Sequence, residues 1–319
     1  MADMTQPHFL DADAAREYVE RMRWPNGPIC PHCSSTEAYS ITPKPGSRTR
    51  KGLHKCKACR KQYTVTVGTI FADSHIPLNK WLLAIHLLCS SKKGISAHQL
   101  HRMLGLTYKS AWFMAHRVRY AMAREPLSSK LRGTVEVDET YVGGKEKGKR
   151  GRPGPDSKKA PVVAMVERSL VKGPKGKGRK GKVRSVHVDR VTVKNLRPVL
   201  KETIRKGSAI HTDEALVYYH LEDDFPKHSA VNHAQKEYVR REKTGVMVTT
   251  NTAENYFSIL KRGVFGVYQH MSKFHLHRYL SEFDFRYNSR DVSDADRALM
   301  ALLGSEGKRL TYRDSCARV

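Results

Sequence analysis

The spacing of apolar residues changes along the chain, and each change predicts a different kind of element. Apolar and polar residues alternate from Tyr63 to Val67, which predicts a β-strand. Beyond it the apolar period lengthens to the helical value in "LNKWLLAIHLLCSS", "ISAHQLHRML" and "TYKSAWFMAHRVRYAM". The dipeptide Gly-Leu separates the last two segments, and Thr107 stands where a helix N-cap is expected. A strand region is therefore followed by three predicted helices.

The second half of the chain combines both periods. "TVEVDETYVGG" alternates, so Val135 and Val137 share one face of a strand while Glu136 and Asp138 share the other. Three more strands are predicted, in "APVVAMVER", in "VRSVHVDRVT" and from Ala209 to His211. Helices are predicted in "VKNLRPVLKETI" and "TNTAENYFSILKRG". The predicted order is therefore strand, strand, strand, helix, strand, helix.

The net charge of the chain indicates which class of partner it binds. The 319 residues include 58 Lys and Arg against 31 acidic residues, and the formal net charge is +27. Such an excess favours a polyanion, and nucleic acid is a better candidate than an anionic membrane surface. The chain shows no apolar stretch of membrane-spanning length and no signal-peptide core, so we expect a cytoplasmic, nucleoid-associated protein that binds no membrane.

Two segments carry much of this charge and almost no apolar residue, namely 143–159 and 172–182. Such segments cannot form a core, so both are predicted to be flexible loops that contact phosphates. A purely solubilising role is the alternative.

Four of the six cysteines form two Cys-x-x-Cys pairs, Cys30 with Cys33 and Cys56 with Cys59. Two such pairs supply four thiolates in a tetrahedron, which is the usual ligand set of a structural zinc ion. A disulfide pair or a redox motif is the alternative, and a cytosolic setting disfavours the disulfide. The sequence predicts a zinc ribbon with one Zn²⁺, to which neither His32 nor His54 binds.

The second and third predicted helices, joined by a short glycine turn, indicate a helix-turn-helix. Tyr108 and Lys109 would then begin the recognition helix, while Arg117 and Arg119 would lie near phosphates. A plain helical linker with a solvated basic face is the alternative.

The strand and helix order of the second half is that of a ribonuclease H-like domain. In that fold an Asp on the first strand, here Asp138, lies beside an Asp at the end of the fourth strand, here Asp213, and a helical carboxylate, here Glu254, faces both. Three converging acids in a basic chain favour a hard cation, so Mg²⁺ or Mn²⁺ is expected, with two ions for phosphoryl transfer. The alternative for Glu254 is a capping box with Asn251.

The motifs "CPHC", "CKAC", "VEVDETYVGG", "IHTDEALVY" and "NTAENYFSILKRGVFGVYQHMSKFHLHRYLSEFDFRYN" together resemble the DDE insertion-sequence transposases of the ISXO-like group. The resemblance runs from about Leu10 to about Asp291. It implies that Asp138, Asp213 and Glu254 are the catalytic and metal-binding triad, with Asn251 as the alternative to Glu254 at the third position. It also implies that Lys261, with Arg262 beside it, touches the transposon end, and that a homodimer or larger assembly acts on paired DNA ends.

We therefore expect an α+β multidomain protein with an N-terminal helix and zinc ribbon (1–72), a helix-turn-helix (73–128), a ribonuclease H-like core with basic loop insertions (129–292) and a C-terminal tail (293–319). The expected function is a bacterial transposase that binds the terminal inverted repeats of its element in double-stranded DNA, cleaves a strand and transfers it. A zinc-ribbon DNA-binding regulator derived from a transposase and a ribonuclease H-type nuclease are the alternatives. The intact acidic triad argues against the regulator, and the ribbon argues against the nuclease.

Overall fold

The computed structural model describes residues 3–123, 129–144, 157–169, 180–243 and 245–316. The chain divides into two compact units, one formed by 1–123 with 291–319 and the other by 124–290. None of the helices in the described ranges has the length and apolar content that a membrane span needs. The predicted division into four parts is not tested by these two units and stays a prediction.

The first unit begins with two helices, which are followed by a small antiparallel sheet. Its elements are α1 (Pro7–Leu10), α2 (Ala12–Arg23), β1 (Ala38–Ile41), β2 (Leu53–Cys56) and β3 (Gln62–Tyr63). The strand order is β1-β2-β3. The predicted strand from Tyr63 to Val67 is wrong, because β3 ends at Tyr63 and turns follow. The carbonyls of Val65 and Val67 accept from the Arg23 guanidinium, at 2.6 and 3.2 Å, instead of pairing with a strand.

Three helices follow, as the apolar period predicted: α3 (Leu78–Ser90), α4 (Ala97–Leu104) and α5 (Tyr108–Met122). Gly105 ends α4 in the left-handed conformation with φ 59°, which suits a residue without a Cβ. The prediction that Thr107 caps the next helix is confirmed, because its hydroxyl accepts from the Ser110 N–H at 3.2 Å. The turn between α4 and α5 is therefore encoded locally.

The second unit is built on a mixed five-stranded sheet. Its elements are β4 (Thr134–Val142), β5 (Ala160–Glu167), β6 (Val183–His187), α6 (Val193–Thr203), β7 (Ala209–Asp213), β8 (Lys227–Val231), β9 (Val239–Arg241), β10 (Met247–Thr249), α7 (Asn251–Gly263) and α8 (Lys273–Asn288). The strand order is β6-β5-β4-β7-β8, while β9 and β10 form a separate hairpin. Neighbours pair antiparallel from β4 to β6 and parallel from β4 to β8.

Two apolar clusters cover the faces of this sheet. One cluster joins alternate residues of β5, with Val142 of β4 and Val183 of β6, to α7 and α8. The other joins Val135, Val137, Val163 and Met165 of β4 and β5 to α6. Val135 and Val137 pack on the α6 side, as the alternation predicted. Every residue of β5 is buried, because this strand is covered on both faces. Glu136 and Asp138 consequently point toward the side that carries α7.

The chain ends in α9 (Asp294–Leu303) and α10 (Tyr312–Cys316). Ala301 and Leu302 of α9 are buried, and this helix packs on α3 and α5 of the first unit. The Arg297 guanidinium donates to the Cys89 carbonyl at 3.0 Å, at the end of α3. The segment that the sequence left as a C-terminal tail therefore includes a packed helix.

Candidate functional site

The four paired cysteines come together in the first unit. The Sγ atoms of Cys30, Cys33, Cys56 and Cys59 all lie within 4.8 Å of one another, and none of these thiols is in a disulfide. Cys30 and Cys59 are 3.7 Å apart, and Cys33 and Cys56 are 3.6 Å apart. A tetrahedral site with Zn–S bonds of about 2.3 Å separates its sulfurs by about 3.8 Å, so the donor set fits zinc in both number and spacing.

Two local features accompany the cysteine cluster, a backbone hydrogen bond and a group of packed rings. The backbone N–H of Cys59 points at the Cys56 sulfur, at 3.5 Å, and this bond lowers the pKa of the Cys56 thiol to about 6. His54 is buried, and its ring lies 5.6 Å from the rings of both Trp24 and Tyr63. The histidine therefore packs in the ribbon core and is not part of the sulfur cluster.

The second unit brings the three predicted acids to one region. Asp138 lies on β4, Asp213 ends the adjacent parallel strand β7, and Glu254 lies in the first turn of α7. Burial and the charges of Glu139, Asp213 and Glu254 raise the pKa of Asp138 to about 7. The three carboxylates therefore share one electrostatic field.

The three carboxylates are less closely grouped than the four cysteine sulfurs. Among the residues that the structure describes, the cysteines alone form a group of three or more possible ligands within 4.8 Å, so the three acids do not close into one compact cluster. Asp138 and Asp213 are half-buried, whereas Glu254 is exposed.

The capping box predicted as the alternative role of Glu254 is wrong. The N-cap of α7 is Thr250, and Asn251 is the first helical residue. Glu254 accepts instead from the Thr250 hydroxyl at 3.2 Å, and the His233 ring lies 3.3 Å from the same hydroxyl. The open N–H groups of the helix are bound elsewhere, so Glu254 is not needed to cap them.

Glu136 binds those N–H groups, a role that the sequence reasoning missed. Its carboxylate is fully buried and accepts from the backbone N–H of Thr252 at 2.6 Å and of Ala253 at 3.2 Å. The strand alternation had already placed Glu136 on the face of Asp138. A buried carboxylate needs donors, so this position was the available signal.

The acids that follow the two aspartates have other partners. Glu139 accepts from the Tyr218 hydroxyl at 2.6 Å, on the α6 side of the sheet, which is the face of Val135 and Val137. Burial and the Glu139 charge raise the pKa of Tyr218 well above its ordinary value. Glu214 accepts from the backbone N–H groups of His233 and Ala234, at 2.8 and 3.0 Å. Both glutamates therefore serve local structure around the acidic region.

Some of the predicted DNA-binding residues are exposed to solvent and others are buried. Lys261 and Arg262 are exposed on α7, and Tyr108 and Lys109 are exposed at the start of α5. The predicted basic loops, 143–159 and 172–182, lie largely outside the described residues.

Arg117 and Arg119 differ from this prediction, because both are buried in the first unit. Arg117 donates to the Ala72 carbonyl at 2.5 Å and lies over the rings of Trp81 and Phe113. Burial lowers its pKa to about 10. Arg117 packs against aromatic rings through its stem and its planar guanidinium, and the burial of both arginines differs from the solvent-exposed position that a phosphate contact needs.

Two family models match the chain. The ISXO2-like transposase domain matches residues 130–288, and the transposase zinc-ribbon domain matches residues 10–62. The chain belongs to the ISXO2-like transposase family. A protein of Halobacterium salinarum, described as an uncharacterized protein in transposable element ISH50, is 26% identical over 292 residues, which cover 87% of this chain and 91% of the relative. The resemblance seen in the sequence is confirmed, and all four clustered cysteines of this transposase lie within its matched zinc-ribbon segment.

Proposed function

We propose that this transposase binds the terminal inverted repeats of an insertion sequence and catalyses metal-dependent strand cleavage and strand transfer. The observation that carries the proposal is the shared field of Asp138, Asp213 and Glu254 in a chain of net charge +27. The strand order β6-β5-β4-β7-β8, with its antiparallel and parallel halves, supports a ribonuclease H-like fold for the second unit. A carboxylate region of this kind is costly unless a cation or a proton neutralises it.

The donor set fits hard divalent cations. Carboxylate oxygens are the ligands that Mg²⁺ and Mn²⁺ prefer. Burial and the charges of the neighbouring carboxylates raise the pKa of Asp138, and a bound cation would offset both effects. Asp138, Asp213 and Glu254 would hold two ions. Bound there, the ions would supply Lewis-acid stabilisation of the phosphate and of the attacking and leaving oxygens.

The reaction has two steps at one site. Water first attacks the phosphodiester at the element end and releases a 3′-hydroxyl, and that hydroxyl then attacks a target phosphodiester and displaces another 3′-oxygen. Lys261 is exposed two turns beyond Glu254 on α7, so it can hold the backbone of the cut end near the acids.

Recognition of the element is assigned to the first unit. The pair α4 and α5 serves as a helix-turn-helix whose recognition helix presents Tyr108 and Lys109 to the major groove, and the zinc ribbon adds a second contact. The transposase would act as a homodimer or larger assembly on paired DNA ends, in the cytoplasm at the nucleoid.

The test uses the full chain with Mg²⁺ and duplex DNA that carries the ends of its own element. We expect nicks that leave 3′-hydroxyls at the element boundaries, and joining of those ends to target DNA. Binding without any break would favour the regulator, and equal cutting of an RNA–DNA hybrid would favour the nuclease. Either result would overturn the proposal.

A further inference from the structure

We propose that Glu136 and Arg168 are a positioning pair that fixes Glu254 relative to Asp138 and thereby sets the metal affinity of the acidic site. The inference rests on the proposed function. Its starting point is the strand β4, on which Glu136 stands two residues before Asp138, so both side chains point to the same face. Glu136 is fully buried, whereas Asp138 is half-buried.

The carboxylate of Glu136 binds the start of α7 directly. Its Oε2 accepts from the N–H of Thr252 at 2.6 Å and of Ala253 at 3.2 Å, and its Oε1 accepts from the Thr252 hydroxyl at 2.9 Å. These N–H groups have no partner inside the helix, and the helix dipole favours a negative charge at this end. Glu254 is the next residue, so one side chain connects the strand of Asp138 to the helix turn of Glu254.

Arg168 binds the other side of this carboxylate. Its Nε donates to Glu136 Oε1 at 2.6 Å. Its two terminal nitrogens donate to the carbonyls of Met247 and Thr249, the latter at 3.2 Å. These carbonyls belong to β10, the strand that leads into α7. The pair therefore holds both the first turn of the helix and the chain that enters it.

Glu136 is a positioning residue and not a further metal ligand. Two donors point at each of its oxygens, which fills the acceptor capacity of a carboxylate. Glu254 is exposed, and its carboxylate accepts from the Thr250 hydroxyl at the start of the same helix, at 3.2 Å. The position of Glu254 therefore depends on the helix turn that Glu136 binds. Residues that orient metal ligands typically contribute about 10–100-fold to metal affinity or activity.

The test compares Glu136→Gln with Glu167→Gln in the full chain. Glu167 is the matched control, because it is a buried carboxylate on β5 that accepts from the backbone N–H groups of Arg132 and Lys182. For Glu136→Gln we expect the Mn²⁺ concentration at half-maximal cleavage to rise about 10–100-fold, with much of the rate recovered at saturating Mn²⁺. In the protein without Mg²⁺ or Mn²⁺, amide hydrogen exchange over residues 250–257 should become faster. Glu167→Gln should leave both readouts unchanged.

The inference is overturned if Glu136→Gln leaves the Mn²⁺ midpoint and the exchange rates unchanged, or if both variants shift them equally. If Glu136→Gln fails to fold, the double variant Glu136→Gln/Arg168→Gln replaces it, since removing both charges leaves no unpaired buried ion. It should show the same two shifts, and their absence would overturn the inference.

A parallel Asp138→Asn variant separates this inference from the proposed function. Cleavage by Asp138→Asn would overturn the proposed function and with it the inference. If Asp138→Asn is inactive while Glu136→Gln behaves like Glu167→Gln, the pairing inference alone fails.

Discussion

At the scale of single residues, Arg117 and Lys109 lie on the same helix but in different environments. Lys109 is exposed, while Arg117 is 5% exposed and bonded to the Ala72 carbonyl. The sequence identified both as cations near the recognition helix, and it could not separate them. A guanidinium among apolar neighbours satisfies its charge by stacking and by carbonyl contacts, which depend on residues far away in the chain.

The two residues should therefore respond differently to alanine. Lys109→Ala should weaken binding to the element ends and leave the thermal midpoint unchanged. Arg117→Ala should lower the free energy of unfolding by about 2 kcal/mol, because it removes packing and a charged hydrogen bond. Binding titrations and thermal unfolding of both variants check this. Loss of stability in Lys109→Ala, or none in Arg117→Ala, would contradict the assignment.

Asp284 should make the stability of the protein depend on pH. It is buried on α8 and accepts from the Tyr256 hydroxyl at 2.6 Å and from the Ser185 hydroxyl at 2.7 Å. Burial raises its pKa from an ordinary 3.8 to about 7. Between those values the folded protein binds a proton that the unfolded chain releases, so this group makes the free energy of unfolding fall as pH rises, by about 1.4 kcal/mol per pH unit.

Asp284→Asn cannot titrate and should lose this contribution. In the absence of Mg²⁺ and Mn²⁺, with the zinc retained, thermal midpoints at pH 5, 6 and 7 should fall less steeply in the variant than in the parent chain. Parallel curves would show that Asp284 is ionised throughout the range.

At the scale of elements, the segments with a clear apolar pattern were predictable, whereas several short polar strands and the side-chain contacts between elements were not. Helices α3, α4 and α5 and strands β4 and β5 follow strong apolar patterns. Strand β8 and the β9–β10 hairpin were missed, because they are short and mostly polar. The outer edge of β6 is covered by side chains of α8: the Asn288 amide oxygen accepts from the Val183 N–H at 2.7 Å, and its nitrogen donates to the Val183 carbonyl at 2.9 Å. Such side-chain pairing has no sequence period.

The ribbon gives the element-scale prediction. Cys30→Ser or Cys56→Ser should abolish zinc binding and specific recognition of the element ends, since a three-stranded sheet this small depends on its metal. The second unit should keep its fold. Metal analysis of the full chain should find one zinc per chain in the parent and none in the variants. A parent chain without zinc would contradict the prediction.

At the scale of the whole molecule, the region of Asp138, Asp213 and Glu254 is acidic in a chain whose net charge is +27. The sequence was sufficient to identify the family, because its motifs extend across both matched segments. It also placed Asp138, Asp213 and Glu254 on the elements that carry them. It could not identify Glu136 and Arg168 as the groups that hold α7, since their contacts join β4, β10 and α7, which are distant in the chain.

The central claim is that Asp138, Asp213 and Glu254 form one metal site that cuts DNA. The most direct measurement is single-turnover cleavage of an element end by Asp138→Asn, Asp213→Asn, Glu254→Gln and their combinations, with Asn251→Ala as the control. We expect each of the three acidic variants to lose cleavage by orders of magnitude while folding and DNA binding persist. Combining them should add nothing, because each alone removes the site. Full cleavage by Glu254→Gln together with loss of cleavage in Asn251→Ala would contradict the account.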